Sequence, residues 1–355
     1  MLRSYSFPSV YEAINRELPN VADNILNGLR VKVNDEDYMV GNLALTEGFS
    51  PHKNFNAAPT ENEFNLLSKA ALLLTQPKRD EELFVTTGFP FSTYLLYRDQ
   101  VRDQLLGSHA IMYDASTYGG SPNAKKEISI SKVEILPEIL GCITAIRDGQ
   151  MQEKDNFFII SLGYGTCEAV VSMRSGIINR SAVSAQGIRH AVNILSNELS
   201  KSLYLNLKTE HQIDVAFQRG SIIVNRTNRN LVEIRERALR TYYHDIISPS
   251  LRKAFLDDDF HKCAKMYIVG GGALYPELID CFEQEFKGIV TIEGYSEPDK
   301  CASHGYCLHS KQKIAGAFKS NSKMDDGTVA RNPQLAVGLD IGNANTCITT
   351  YRSEE

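Results

Sequence analysis

The stretch "QLAVGLDIGNANTCITTY", residues 334 to 351, decides the fold. Val337, Leu339 and Ile341 alternate with Gly338, Asp340 and Gly342. Successive side chains of a strand point to opposite faces, so one face is apolar and the other carries Asp340 between glycines. A face this bare lets a ligand come close. The turn that follows, Gly342, Asn343, Ala344, Asn345 and Thr346, uses small residues whose N–H groups and side chains suit phosphate oxygens. One carboxylate beside phosphates is also what a hydrated Mg²⁺ asks for, because that ion keeps several waters and takes few carboxylates.

A second stretch, "IISLGYGTCEAVV" at 159 to 171, has the same layout. An apolar strand leads into Gly163, Tyr164, Gly165 and Thr166, and a second apolar strand leaves. Its turn reads as one residue shorter, and the ending Thr346-Cys347 is repeated as Thr166-Cys167. Two similar hairpins far apart in the chain suggest a duplicated domain with a phosphate clamp built from both halves. Either one alone is equally a plain β-hairpin that needs glycine for its turn. A third stretch, "YIVGGGALYPELI" at 267 to 279, runs from strand through Gly270, Gly271, Gly272 and Ala273 to a helix. Glycines there admit a flat ligand or a phosphate, and a helix N-terminus favours anions. Two alternatives stay open for it, close strand–helix packing and a dinucleotide-binding turn, although GxGxxG is not satisfied.

Around these stretches, strand-like and helix-like segments alternate, as in an α/β fold. "FNLLSKAALLL" has helical spacing, "ELFVTTGFPFS" reads as a strand, and "GIRHAVNILSNELSKSL" as a long helix. The polar, turn-rich "KSNSKMDDGTVARNP" at 319 to 333 reads as a linker. At 355 residues the chain exceeds the roughly 250 to 300 at which single cores stop growing, so two domains are expected. The 43% hydrophobic and 23% charged composition is that of a globular protein, and the net charge of -5 argues against direct gripping of nucleic acid. No apolar run approaches the roughly 18 to 20 residues of a membrane span, and the N-terminus turns polar too early for a signal peptide. Seven scattered cysteines fit a reducing cytoplasm. No Walker A pattern or kinase signature occurs, so any nucleotide is held in another way.

Together these residues resemble the actin-like ATPase superfamily, and most of all the bacterial actins of the ParM (StbA) type, with "DIGNANT" also similar to MreB. "SFPSV", "YMVGNLAL" and "VTTGFPFSTY" resemble first-domain segments of that type. "ILPEILGCITAI" resembles the first connecting helix and "EPDKCASHGYCLHS" the second. The resemblance implies a two-domain α/β fold of duplicated ribonuclease-H-like domains. Residues 1–150 with 300–355 would form domain I, with a small insertion at about 10–60 and the first phosphate hairpin at 337–351. Residues 151–299 would form domain II. The family's first hairpin stands last here, so the same circle of segments is cut elsewhere, with 319–333 joining the usual ends. A circular permutation of this kind predicts that the strand ending near Tyr351 lies beside Leu2 to Phe7.

What the resemblance implies for function is ATP, with GTP the alternative, bound with Mg²⁺ in an interdomain cleft and hydrolysed. Asp340 would organise the metal through its waters, and Glu138, following Pro137 at a helix start, would position the attacking water. The hairpin residues 342–346 and 163–166 and the glycine turn 270–273 would bind the nucleotide, with ribose contacts sought in "TEHQIDVAFQRG". Two departures stand out. Ser161 replaces the aspartate usual in the second hairpin, which implies slow hydrolysis, and Tyr164 replaces a usual glycine. The implied partners are further copies of the chain in a filament and a DNA-binding adaptor for plasmid segregation, with neither nucleic acid nor membrane contacted directly. An MreB-like scaffold and a monomeric sugar or metabolite kinase are the alternatives. Cys301, His304, Cys307 and His309 bunch together but meet no standard zinc spacing. "EIRERALR" reads as a solvated charged helix face.

Overall fold

The computed structural model describes residues 1–53, 58–59, 62–202, 210–321 and 334–352, the side chains of 202 and 317–321 excepted. Of the expected linker, 322–333 lie outside the described residues, and its first three residues are the end of the helix Cys301–Asn321. The chain forms two compact units, Met1–Glu153 with Lys300–Glu355, and Lys154–Asp299.

The first unit is built on a ten-stranded sheet. Its spatial order is Leu2–Pro8, Asn345–Tyr351, Gln334–Ile341, Glu82–Phe89, Ala124–Pro137, Gly107–Tyr113, Arg30–Val33, Glu36–Val40, Val10–Ile14 and His52–Lys53. Leu2–Pro8 pairs antiparallel with Asn345–Tyr351, from Leu2 opposite Tyr351 to Pro8 opposite Asn345. The strands between residues 10 and 53 continue this sheet, through Val31 opposite Tyr113, and add a small cluster of Val10, Leu18, Met39, Leu43 and Ala44.

Helices cover both faces of the sheet at its centre. On one face the helix Asn62–Thr75 buries Leu66, Leu67, Ala70 and Leu74 in one core with Val337, Leu339 and Ile348. On the other lie Glu138–Asp148 and Cys301–Asn321, and they approach by glycine. A Cβ on Gly305 would stand 1.7 Å from the Gly141 carbonyl oxygen, and one on Gly338 would stand 2.0 Å from that of Ser303. Backbone contact of this kind admits no side chain.

The second unit holds a six-stranded sheet. Its central strand Phe157–Leu162 is buried at every position, between antiparallel Thr166–Met173 and parallel Lys265–Val269. Strands covered on both faces read as continuous apolar runs, which is why "FFIISL" shows no polar alternation. Phe158, Ile160, Leu162, Cys167, Ala169 and Val171 enter a core with Ala191, Val192, Leu195, Tyr242 and Tyr243 of the covering helices. Phe157, Ile159, Ser161, Glu168 and Val170 therefore point to the opposite face. Of the charged stretch "EIRERALR", Arg235 is not solvated. It is 15% exposed and donates to Glu277 Oε1 at 2.6 Å, while Arg237 and Arg240 keep to the surface with Glu198 and Glu236. Among the described residues no helix is long and apolar enough to cross a membrane.

Candidate functional site

In the first unit the turn after Ile341 is closed by the Gly342 amide donating to the Asn345 carbonyl at 3.0 Å. A Cβ at Gly342 would stand 2.9 Å from that same oxygen, so glycine is there for close approach; no residue of this turn has a positive φ. Ser9, wholly buried, reaches the turn from the start of the chain. Its amide donates to the Ala344 carbonyl at 2.8 Å and its hydroxyl to the Gly342 carbonyl at 2.7 Å. Since a trans peptide sets C=O and the next N–H on opposite sides, these bonds turn the amides of Asn343 and Asn345 the other way. Two outward amides beside Asp340 make an anion-binding concavity. Thr346 is not available to such an anion. It is fully buried, and with the Ser9 proton engaged by Gly342 its hydroxyl must donate to Ser9 Oγ, 2.9 Å away.

The second unit repeats this construction. The Gly163 amide donates to the Thr166 carbonyl at 2.9 Å, and a Cβ at Gly163 would meet that oxygen at 2.8 Å. Both turns thus span four residues closed by the same bond, so the second is not one residue shorter. The repeated Thr-Cys is out of register by one, because Thr166 matches Asn345 and Cys167 matches Thr346. Here the bracing segment is 187–189: the amides of Ile188, Arg189 and Gly187 donate to the carbonyls of Gly163, Tyr164 and Gly165 at 3.0, 2.9 and 3.1 Å. Only glycine fits at 187, where a Cβ would stand 2.5 Å from two of those carbonyl oxygens. The amides of Tyr164 and Gly165 are turned outward by the same geometry.

Tyr164, standing where the resemblance has glycine, has no positive φ and so no backbone need for glycine. Its hydroxyl donates to Glu210 Oε1 at 2.8 Å, and Arg189 clasps the same carboxylate at 2.9 and 3.0 Å. Burial pushes the Tyr164 phenol far up, aided by the charges of Asp214 and Glu210, so it stays a donor. Glu210 and Asp214, one turn apart on the helix Glu210–Arg219, therefore face the second hairpin. Both come from the segment in which ribose contacts were sought.

Gly270 and Gly272 sit at the foot of this hairpin. Their Cβ positions would fall 2.7 Å from the Leu162 carbonyl oxygen and 2.5 Å from Leu162 Cβ, so close packing accounts for both glycines. Gly271 faces open space. The α-helix begins only at Pro276, after a 3₁₀ turn over Gly271–Leu274 that contains Ala273, so the triple glycine is not the helix terminus itself.

Glu138 is the first residue of its helix, behind Pro137, and is half-buried. It and Asp340 come together around Cys142. That thiol is pushed up first by its hydrogen bond with Cys301, then by burial, and both carboxylates add to the effect. The two acidic residues singled out in the sequence thus share one neighbourhood in the first unit. Cys301, His304, Cys307 and His309 diverge instead. Cys301 donates to the Cys142 carbonyl, His304 meets Ser4 Oγ at 2.9 Å, Cys307 donates to the Ala336 carbonyl, and His309 meets Glu134 at 2.6 Å. Among the described residues no three His, Cys, Asp or Glu side chains gather to hold a metal unaided.

The fold is that of the actin-like proteins. Residues 2–141 match the family model described as the N-terminal domain of actin-like proteins. Among solved structures, a ParM filament from Clostridium botulinum superposes with a TM-score of 0.71 at 18% identity, over 86% of this chain and 92% of that one. An archaeal actin homologue in complex with ADP gives 0.65 at 14% identity over 86% and 92%. ParM of Bacillus thuringiensis with ATP gives 0.55 at 17% identity over 88% and 93%. No curated protein matches the chain by sequence.

Proposed function

We propose that the protein is a bacterial actin of the ParM type that binds ATP, hydrolyses it and assembles into filaments in the cytoplasm. The observation that carries this reading is the shared construction of the two hairpins, each with its turn carbonyls drawn inward by a bracing segment and its following amides turned outward. Amides so oriented hold phosphate oxygens with no reorganisation on binding. Gly342, Asn343, Ala344 and Asn345 would serve one phosphate group, and Gly163, Tyr164, Gly165 and Thr166 the other. Gly271 and Ala273 would border the nucleoside, and Glu210 or Asp214 its ribose.

The donor set fits Mg²⁺, since a carboxylate beside outward amides suits an ion that arrives with phosphates and keeps its water. Asp340 would hold it through that water, and the ion's chemistry there is neutralisation of phosphate charge. Glu138, at a helix start and near Cys142 as Asp340 is, would orient the attacking water and take its proton. Plasmid segregation through a DNA-binding adaptor is the biological role we assign. Purified protein should scatter light and show filaments by electron microscopy with Mg-ATP and not without. A protein that stays monomeric while phosphorylating a small hydroxylated substrate would sink this reading.

We propose also that the segment order is a circular permutation of the usual one. Its support is the order itself, in which connecting helix, second hairpin, glycine turn and connecting helix precede the first hairpin, and the pairing of Leu2 with Tyr351. A gene reordered to begin at Gln334 and to run from Arg352 through a short linker into Leu2 should yield a folded protein with the same nucleotide affinity. An insoluble product would count against it.

A further inference from the structure

At the end of the first unit's sheet farthest from Leu2–Pro8, aromatic and acidic side chains gather on one face. Val31 lies opposite Tyr38, Val33 opposite Glu36, Ala13 opposite Tyr38 and His52 opposite Tyr11. Opposite residues share a face, as do alternate residues along a strand, so Val33, Glu36, Tyr38, Tyr11 and His52 all stand on it. The lysines of these strands stand on the other face, Lys32 opposite Asp37 and Lys53 opposite Val10. The helix Asn62–Thr75 starts over the aromatic face, where its Leu66 shares a core with Val31 and Val33. Beside its first turn it leaves a cavity of about 250 Å³, lined by Tyr11, Tyr38, Val33, Leu66, Asn34 and Glu63 among others.

Tyr11 and Tyr38 meet edge to face, with centroids 6.1 Å apart and planes at 69°, and so wall a corner of this cavity. Both hydroxyls are engaged by carboxylates: Tyr11 donates to Glu63 Oε1 at 2.7 Å and Tyr38 to Glu36. The Tyr38 phenol is pushed above its ordinary value, first by its bond to Glu36, then by burial, and the charges of Glu36 and Glu63 add to this. Asn34 and Asp35, with φ of 51° and 64°, form the two-residue turn of the hairpin that carries Tyr38, which fixes its register. Aromatic rings and carboxylate oxygens are thus held in place, and no cationic side chain lines the cavity among the described residues. Nor do three His, Cys, Asp or Glu side chains gather there to hold a metal. Drug-sized ligands occupy roughly 300–1,000 Å³, so this space suits a single cationic group on a slender stem.

We propose that this cavity binds one guanidinium group, the head of an arginine side chain or of a small guanidino compound. Guanidinium is planar, is drawn to aromatic faces and bonds a carboxylate through paired N–H donors. Tyr11 and Tyr38 would receive its flat face, and Glu63, positioned by the Tyr11 hydroxyl, would accept its N–H groups. None of these residues belongs to the two hairpins, so the inference does not depend on the nucleotide reading.

The test is titration calorimetry on the full chain without nucleotide, with arginine amide as the probe and citrulline amide, its neutral isostere, as the control. Arginine amide should bind with a Kd on the order of 1 mM, the scale for a ligand of about a dozen heavy atoms. Citrulline amide should bind about tenfold more weakly or less, and Glu63→Gln, which can keep the Tyr11 bond while losing the charge, should raise the Kd for arginine amide about tenfold. Equal binding of the two amides, or no binding of arginine amide at about fifty times that Kd, overturns the proposal, as does an unshifted Kd in folded Glu63→Gln. Should that variant fail to fold, Tyr38→Leu decides: a Kd raised about tenfold supports the site, and an unchanged one refutes it. A capped pentapeptide with one central arginine separates the two sources. Binding within about threefold of the amide assigns the site to a side chain presented by a protein, and binding more than about tenfold weaker assigns it to a free guanidino compound.

Discussion

Ser9→Ala tests whether the first hairpin is set by its brace. The serine hydroxyl donates to Gly342 O at 2.7 Å, a partly buried bond, and receives the Thr346 proton at 2.9 Å in a fully buried one. Alanine removes both bonds and leaves a part-buried carbonyl and a buried hydroxyl without that partner, at about 1–3 kcal/mol for each group that finds no other. The Thr346 hydroxyl can rotate toward another acceptor and the Ser9 amide bond to Ala344 survives, so we expect about 2–3 kcal/mol in all. If half of that is felt as loosening of the turn, ATP affinity falls about tenfold, since 1.4 kcal/mol is one decade. Urea unfolding at constant m-value gives the stability change, and titration with a fluorescent ATP analogue gives the affinity. Replacing Thr346 by Val as well removes both hydroxyls and should recover part of the loss, a coupling of about 1 kcal/mol. A Ser9→Ala protein with wild-type midpoint and affinity within twofold would refute the brace.

Glu138→Ala should leave ATP affinity within about threefold while slowing phosphate release by about 10²–10⁴, the range for a lost general base; unchanged release in a single-turnover assay removes Glu138 from the mechanism. Gly305→Ala should destabilise by about 3 kcal/mol or more, because its methyl would fall 1.7 Å from the Gly141 carbonyl and force the two connecting helices apart; a melting temperature within a degree of wild type would contradict that crossing. Asp259 is held below its ordinary range, first by its bonds to Arg180 at 2.7 and 3.0 Å, with the Leu256 amide adding and burial opposing. Its folded pKa is depressed, so its contribution is complete above the unfolded value of about 3.9 and is lost as pH falls through the lower folded one. Asp259→Asn should therefore flatten the acid limb of the stability–pH curve, read by urea unfolding at several pH values.

Both hairpins were legible because alternation and glycine are local signals: Val337, Leu339 and Ile341 against Gly338 and Asp340 reads without knowing anything distant. What holds them was not. Ser9 lies 333 residues from Gly342 in sequence, and no periodicity links them. Gly187 looked like any helix-leading glycine, and its role appears only where two carbonyls pass 2.5 Å from its Cβ position. The repeated Thr-Cys gave a false register because identity was matched where backbone closure decides. Arg235 looked solvated among charged neighbours, yet its partner Glu277 follows the glycine turn 42 residues on. For the glycines at 270 and 272 the choice between ligand contact and close packing stayed open because the strand they touch, ending at Leu162, is equally remote.

The two hairpins share little sequence beyond their first glycine, and they share nearly all of their backbone chemistry. A serine hydroxyl and amide do in one what three successive amides at 187–189 do in the other. What the two turns have in common is thus the direction of their carbonyls. Glycine is required where a Cβ would meet a carbonyl oxygen, as at 342, 163 and 187, but not at 164, where a tyrosine stands with its side chain led off to Glu210 while its peptide keeps the common orientation. Between the two hairpins of this chain the shared quantity is the set of peptide directions, and different side chains hold it. It also locates where divergence has functional weight. Substitutions that turn a carbonyl outward would take an amide out of the outward-facing array, whereas a tyrosine at 164 leaves it as it was.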